Sequence, residues 1–120
     1  MDVRSARVVV CEDNLTIRHL LKLNLDEIGF SNIYDFENPI LAQEHLNVSS
    51  TDLVITDHNM SEMSGIEFIV LLRKTGYKGP IILLSADIKD WMRKKALENR
   101  VTCMEKPYNF EDLQTVIWDF

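Results

Sequence analysis

The amino-acid sequence predicts an α/β fold, a doubly wound parallel sheet of five strands flanked by five helices. Two observations predict it. Four short runs are apolar on both faces, which is typical of strands in a parallel sheet covered by helices on each side. Between these runs the apolar spacing becomes helical, so strand and helix alternate five times along the chain. Right-handed crossovers then place helices on both faces of the sheet.

The predicted strands are short and rich in Val, Ile and Leu. The four apolar runs are Val8–Cys11, Leu53–Thr56, Ile81–Leu84 and the weaker Val101–Met104. A fifth run, Ile33–Phe36, alternates between apolar and polar residues. Alternation indicates a strand with only one buried face, so we expect this strand at an edge of the sheet.

The first two helices follow the first and second strands. Asn14 can cap the first helix and Gly29 can end it. The apolar residues of this helix are spaced to form one stripe facing the sheet: Ile17, Leu20, Leu21, Leu25 and Ile28. The second helix is predicted to begin at Asn38-Pro39, a capping residue followed by proline at the first helical position, and to end near Leu46.

Three further helices complete the alternation. The third contains Ile66, Ile69, Val70 and Leu72 and ends near Gly76. The fourth is predicted from about Asp87 to Asn99, and the Ser85 hydroxyl can cap it. The fifth begins at Asn109, and its apolar stripe is Phe110, Leu113, Ile117 and Phe120.

Length and charge exclude several classes of protein. With 120 residues, of which 46% are hydrophobic, we expect residues 1–120 to form one domain with one core. The net charge of −6 has the wrong sign for a domain that binds nucleic-acid phosphates directly. No apolar run approaches the roughly 18 residues of a membrane helix, so we expect no membrane insertion and a cytoplasmic location. Cys11 and Cys103 lack metal-ligand spacing and are predicted to be buried free thiols.

Polar residues follow the predicted strands, at the end where open α/β sheets bind their ligands. They are Glu12, Asp13, Asp57, Ser85 and Lys106. Because the separations between them correspond to whole strand–helix units, we expect all of them to lie at one edge of the sheet.

Three carboxylates at one edge repel each other unless a cation lies among them. A few carboxylates, with positions left for water and phosphate oxygens, suit Mg²⁺. Lys106 adds a positive charge, and the Ser85 hydroxyl can donate to an anion. The glycines form neither G-x-G-x-x-G nor G-x-x-x-x-G-K-[ST], which argues against dinucleotide or nucleotide binding by those loops. The pattern therefore predicts a phosphoryl-binding site.

These residues belong to four motifs that occur in order. They are Glu12-Asp13, the segment from Asp57 to Glu67 (close to D-x-x-M-P-x-M-x-G-x-E), Ser85-Ala86 and Lys106-Pro107. From about Arg7 to Phe120 the chain resembles the receiver domain of two-component response regulators, and it is similar in length to the stand-alone, CheY-like members. The resemblance implies a flavodoxin-like sheet with the strand order 2-1-3-4-5.

The resemblance also implies roles for individual residues. Asp57 would be the phosphoacceptor. The Mg²⁺ ligands would be Asp13, Asp57 and the backbone carbonyl of Asn59, with Glu12 holding the ion through water. Lys106 would pair with a phosphoryl oxygen, its bond to Pro107 would be cis, and Ser85 would move to contact the phosphate.

The same resemblance implies partners. The phosphodonor would be a sensor histidine kinase, a phosphotransfer protein or a small phosphodonor, and the output would be an effector protein or a tethered output domain. The domain would catalyse only its own phosphorylation and dephosphorylation, and is not an enzyme in the usual sense. The readout would use the face made by the fourth helix, fifth strand and fifth helix.

Some residues depart from the family pattern. Cys103 stands where members usually carry Tyr or Phe, and the preceding turn, residues 98–102, lacks the usual glycine. His58 is expected to be exposed and without a partner. Arg93, Lys94, Lys95 and Arg100 form a basic strip that is either a solvated face or, with Trp91, a docking surface.

Two other functions remain open. A phosphohydrolase of the haloacid dehalogenase type also uses an aspartyl nucleophile after a strand, but it has a second Asp two residues later, where this chain has Asn59. A pseudo-receiver would bind partners without phosphorylation, but this chain retains the residues that the chemistry needs.

Overall fold

The computed structural model describes residues 1–120 and contains five parallel strands. They are β1 (Arg7–Cys11), β2 (Asn32–Phe36), β3 (Leu53–Asp57), β4 (Ile81–Ser85) and β5 (Thr102–Glu105). Their order in the sheet is β2-β1-β3-β4-β5. This order and the edge position of β2 confirm the fold class predicted from the sequence. Every residue of the central strands β3 and β4 is buried, as their continuous apolar runs require.

Five helices connect and follow the strands. They are α1 (Leu15–Ile28), α2 (Pro39–His45), α3 (Gly65–Lys74), α4 (Asp90–Glu98) and α5 (Phe110–Trp118). The Asn14, Asn38 and Asn109 side chains accept hydrogen bonds from backbone N–H groups of α1, α2 and α5, which confirms the predicted caps of α1 and α2 and the predicted start of α5.

The sheet separates two apolar layers. Leu21 and Leu25 of α1, with Leu113 and Ile117 of α5, pack on one face. Residues of α2, α3 and α4, such as Ala42, Phe68 and Met92, pack on the other. Successive strand residues alternate between the layers, as the pleat requires. Both faces of the sheet are therefore covered, and polar chemistry is confined to the ends of the strands.

Several predicted details are wrong. Leu20 is 57% exposed because it lies off the line of Leu21 and Leu25 through which α1 rests on the sheet, and Ile17, in the first turn of α1, is 39% exposed. Phe120 is exposed because it lies beyond the end of α5. Cys103 is only partly buried, although both cysteines are free as predicted.

The start of α4 also differs from the prediction. The helix begins at Asp90, with Lys89 at the capping position, and not at Asp87. Ser85 does not cap it: its hydroxyl donates to the Asp87 carbonyl and accepts from the Asp87 N–H. This local turn occupies the residues that would otherwise form the first turn of the helix.

The connection from α4 to β5 contains strained backbone. Arg100 has a φ of 56°, in the left-handed region that favours glycine. Arg73 of α3 stabilises this turn by donating to the carbonyls of Asn99 and Arg100. It also donates to the carbonyls of Tyr77 and Gly79, before β4. One guanidinium therefore joins two connections.

None of the helices is long and apolar enough to cross a membrane.

Candidate functional site

The carboxyl ends of the strands bring the predicted polar residues to one edge. Glu12 and Asp13 follow β1, Asp57 and Ser85 end β3 and β4, and Lys106 follows β5. The parallel register explains this convergence, because Cys11 lies opposite Thr56 and Ser85 lies opposite Glu105. The residues that follow these paired positions therefore lie at the same edge of the sheet.

Lys106 lies between two buried carboxylates. Its Nζ is 2.8 Å from Asp57 Oδ1 and 2.9 Å from Glu12 Oε1. Asp57 is only 5% exposed and Glu12 only 3%. Buried carboxylates are costly unless they are paired. The ammonium therefore stabilises a pair of acids that would otherwise repel each other.

The pKa values of this group reflect both burial and pairing. Burial raises the pKa of Glu12, and repulsion by Asp57 adds to it, while the hydrogen bond from Lys106 opposes the rise. Burial alone would lower the pKa of Lys106, but its hydrogen bonds to Asp57 and Glu12 outweigh burial and raise it. Lys106 is thus held in its charged form, and the surplus negative charge at the edge attracts a further cation.

A third carboxylate completes an acidic cluster. One carboxylate oxygen from each of Glu12, Asp13 and Asp57 lies within 4.8 Å of the others. Asp13 is exposed while its two neighbours are buried, so the cluster opens to solvent on one side. Oxygen ligands with open positions fit Mg²⁺, which keeps several waters when bound to proteins. The residues present therefore fit the metal that the sequence predicts.

The loop after Asp57 is held close to the start of α3. His58 N–H donates to the Leu84 carbonyl at 2.9 Å, and the His58 carbonyl accepts from Gly65 N–H at 2.9 Å. A Cβ on Gly65 would collide with the Asp57 carbonyl oxygen and lie 2.7 Å from the His58 Cα. Only glycine allows this approach, which explains the glycine of the D-x-x-M-x-x-M-x-G segment.

Two predicted residues reach the edge without joining the ionic cluster. The Ser85 carbonyl accepts from the Lys106 N–H at 2.9 Å, but the Ser85 hydroxyl is bonded to the backbone of Asp87. Asn59 is exposed, and its backbone carbonyl accepts no hydrogen bond from the protein. The Lys106-Pro107 bond is cis, as predicted.

His58 has partners that sequence reasoning missed. It is partly buried, its Nδ1 lies 3.4 Å from the Ile66 N–H, and its ring meets the edge of Trp91 with centroids 5.8 Å apart. Burial lowers the pKa of His58 despite the opposing effect of Asp57. The residue after Asp57 thus contacts the first turn of α4. The sequence carried no signal for this contact, which joins segments 33 residues apart.

Arg18 and Asp35 were also missed. Arg18 donates to the Glu12 carbonyl at 2.8 Å and to Asp35 Oδ2 at 3.0 Å. These residues lie beside the acidic cluster but contribute no atom to it. Neither belongs to a motif, so their position could not be inferred before the fold was known.

Residues 8–118 match the family model described as the response regulator receiver domain. The chain therefore belongs to the response regulator receiver family. This receiver domain is 30% identical over 84 residues to chemotaxis protein CheY1 of Helicobacter pylori, which covers 68% of this chain and 68% of that protein.

Solved structures agree on the fold of this receiver domain. Chemotaxis protein CheY4 of Vibrio cholerae superposes with a TM-score of 0.87 at 23% identity, over 97% of this chain and 98% of that one. The receiver domain of the histidine kinase CKI1 from Arabidopsis thaliana, solved with Mg²⁺ and BeF₃⁻, gives a TM-score of 0.84 at 23% identity. It covers 98% of this chain and 90% of that one.

Proposed function

We propose that residues 1–120 act as one receiver domain that accepts a phosphoryl group on Asp57. The donor is a phosphohistidine of a sensor histidine kinase or phosphotransfer protein, or a small phosphodonor. The observation that carries this proposal is the buried Asp57 carboxylate, paired with Lys106 and next to the carboxylates of Glu12 and Asp13. The family supports it, because receiver domains are signalling domains that interact with histidine kinases and output domains.

The transfer uses one oxygen of Asp57 as the nucleophile. Lys106 bonds to Asp57 Oδ1 at 2.8 Å and so orients the carboxylate for the attack on phosphorus. As the new O–P bond forms, the P–N bond to the donor histidine breaks and the imidazole nitrogen keeps the electron pair. Lys106 offsets the charge on the phosphoryl oxygens, and the protein contributes mainly position and electrostatics.

The acidic cluster is the proposed Mg²⁺ site. Asp13, Asp57 and the Asn59 carbonyl would hold the ion directly, and Glu12 would hold it through water. When bound, Mg²⁺ neutralises the carboxylates and the oxygens of the incoming phosphoryl group. Lys106, which bonds to both Glu12 and Asp57, holds the Asp57 carboxylate in place.

Phosphorylation would change the bonding of Ser85. Its hydroxyl has only backbone partners on Asp87, so it can exchange them for a phosphoryl oxygen on the adjacent strand. If contacts specific to the phosphorylated state favour it by about 3 kcal/mol, the conformational equilibrium shifts by a factor of about 10². The readout surface would be α4, β5 and α5, where Trp91 and Trp118 are exposed and α4 carries basic residues.

Exposed apolar residues next to the site support a protein as the phosphodonor. Leu15, Leu20 and Leu23 of α1 are all more than half exposed, and α1 begins two residues after Asp13. Leu20 and Leu23 are neighbours on the surface of α1, and adjacent exposed apolar residues are typical of a protein-binding surface. The downstream partner would be an effector protein or a tethered output domain. We place the protein in the cytoplasm, with no direct contact to nucleic acid and no membrane insertion.

Intact-mass spectrometry tests this proposal. The protein is incubated with Mg²⁺ and acetyl phosphate, alongside Asp57→Ala and, as a matched control, Asp26→Ala on the exposed side of α1. We expect one phosphoryl group on the wild type and on Asp26→Ala, and none on Asp57→Ala. Repeated turnover of unrelated phosphate esters would instead indicate a phosphohydrolase of the haloacid dehalogenase type. No adduct on the wild type would indicate a pseudo-receiver.

A further inference from the structure

The segment that carries Glu12 and Asp13 is held by other elements. Residues 12–14 belong to neither β1 nor α1. The Glu12 N–H donates to the Phe36 carbonyl at the end of β2, and the Glu12 carbonyl accepts from Arg18 Nη1 at 2.8 Å. The backbone N–H and the backbone carbonyl of Glu12 are therefore each hydrogen-bonded to a residue outside residues 12–14.

Arg18 is itself held in place by Asp35. Its Nε donates to Asp35 Oδ2 at 3.0 Å, while Asp35 Oδ1 lies 3.1 Å from Lys22 Nζ. The Arg18 side chain is 15% exposed and that of Asp35 is 26% exposed. One guanidinium thus links α1, the end of β2 and the backbone of Glu12. Such charge-assisted hydrogen bonds are stronger and more directional than exposed ion pairs.

We propose that Arg18 and Asp35 are positioning residues for the Mg²⁺ site. They fix the Glu12 backbone, and so the distance of the Glu12 and Asp13 carboxylates from Asp57, without touching the ion. The inference rests on the proposed function, because it concerns the same acidic cluster. Residues that orient metal ligands from behind commonly change metal affinity by about 10- to 100-fold when they are replaced.

The charges of the group fit this role. Burial would raise the pKa of Asp35, but hydrogen bonds and attraction from Lys22 and Arg18 outweigh burial and lower it. Asp35 therefore stays ionised and neutralises a cation that would otherwise repel Mg²⁺. Lys22 contacts Asp35 but makes no bond to the Glu12 backbone, so it provides a matched control for Arg18.

The loss of charge and the loss of positioning at Arg18 should change Mg²⁺ affinity in opposite directions, which allows the two effects to be distinguished. Replacing Arg18 by Met removes a positive charge near the site, which by electrostatics alone strengthens cation binding. Loss of the Arg18 bond to the Glu12 carbonyl instead weakens cation binding. Lys22→Met removes a nearby positive charge without changing the Glu12 contact. The double variant Arg18→Met/Asp35→Asn removes the whole link with no change in net charge.

The measurement is Mg²⁺ binding by isothermal titration calorimetry, with thermal unfolding in the absence of Mg²⁺ to confirm that each variant is folded. We expect Arg18→Met and the double variant to bind Mg²⁺ about tenfold more weakly than the wild type. Lys22→Met should bind as tightly as the wild type or more tightly. Arg18→Lys, which keeps the charge but cannot make both bonds, replaces Arg18→Met if that variant does not fold, and should also bind more weakly.

Two results would overturn the proposal, and they are distinguishable. If the wild type binds Mg²⁺, Asp13→Asn weakens binding and the Arg18 variants bind like the wild type, only the positioning role fails. If the wild type shows no saturable binding, the metal site itself fails and the positioning role fails with it.

Discussion

The acidic edge and the connections on either side of α4 are held together in different ways. At the edge, Glu12, Asp57 and Lys106 come from three strand ends, and the Lys106 ammonium bonds to both carboxylates across the sheet. On either side of α4, the Ser85 hydroxyl bonds to the backbone two residues away and Arg100 occupies a turn that lacks glycine. The charged site therefore depends on the register of the whole sheet. The connections on either side of α4 depend on local bonding, so we expect them to change without disturbing the charged site.

The largest effect is expected at Lys106. Lys106→Met leaves two buried carboxylates without their cation, and we expect about 3 kcal/mol less stability in Mg²⁺-free protein at neutral pH. The exposed Lys95, 3.8 Å from Glu98, is the matched control, and Lys95→Met should cost less than about 1 kcal/mol. Urea unfolding measures both, and equal losses would show that the edge is not held by its ion pairs.

The stability difference between the wild type and Lys106→Met depends on pH because the pKa of Lys106 is raised. The stabilisation by Lys106 is fully present below its unfolded value of 10.5 and is lost as the pH rises through the higher folded value. The stability curves of the wild type and Lys106→Met should therefore converge above pH 10.5. A constant difference across this range would contradict the assignment.

A smaller loss is expected at Arg73 of α3, which bonds to the connection between α4 and β5. Arg73→Met removes hydrogen bonds to carbonyls in two connections, and we expect about 2 kcal/mol less stability. Mg²⁺ affinity should stay at the wild-type value because none of these bonds reaches the acidic edge. Lys74→Met, at the neighbouring exposed position, is the control for stability. A weakened Mg²⁺ site in Arg73→Met would show that the two regions are not independent.

Cys103 tests whether the readout can be changed alone. Cys103→Tyr restores the aromatic residue that is usual in the family, and Cys103→Ser is the matched small replacement. Both variants should form the phosphoryl adduct, since residue 103 contributes nothing to the ionic cluster. Only Cys103→Tyr should enlarge the change in tryptophan fluorescence on phosphorylation, because Trp91 and β5 both belong to the proposed readout surface. Loss of the phosphoryl adduct in either variant would show that residue 103 affects the phosphorylation site.

The smallest effect is expected at Arg100. Arg100→Gly relieves the left-handed backbone and should raise stability by about 0.5–1 kcal/mol. The neighbouring Asn99 has a φ of −101°, so Asn99→Gly should instead lower stability. Thermal unfolding compares the two variants, and a stability change of the same sign in both would contradict the role of backbone strain in this turn.

The sequence predicted the features that depend on periodicity and on the ends of strands. Continuous apolar runs predicted β3 and β4, and the polar residues after the strands predicted the cluster of Glu12, Asp57 and Lys106. The contacts of His58 with Trp91 and of Arg18 with Asp35 could not be predicted, because they join side chains from separate segments. The start of α4 was misplaced because a hydroxyl-to-backbone turn at Ser85 competes with helix formation.

The most direct test of the central claim is to locate the phosphoryl group chemically. Borohydride reduces an acyl phosphate to an alcohol but leaves ordinary carboxylates unchanged, so tandem mass spectrometry of treated protein identifies the modified residue. We predict reduction to homoserine at Asp57 alone, and only when Mg²⁺ and acetyl phosphate are both present. Reduction at another carboxylate, or none at Asp57 in protein that binds Mg²⁺, would contradict the account.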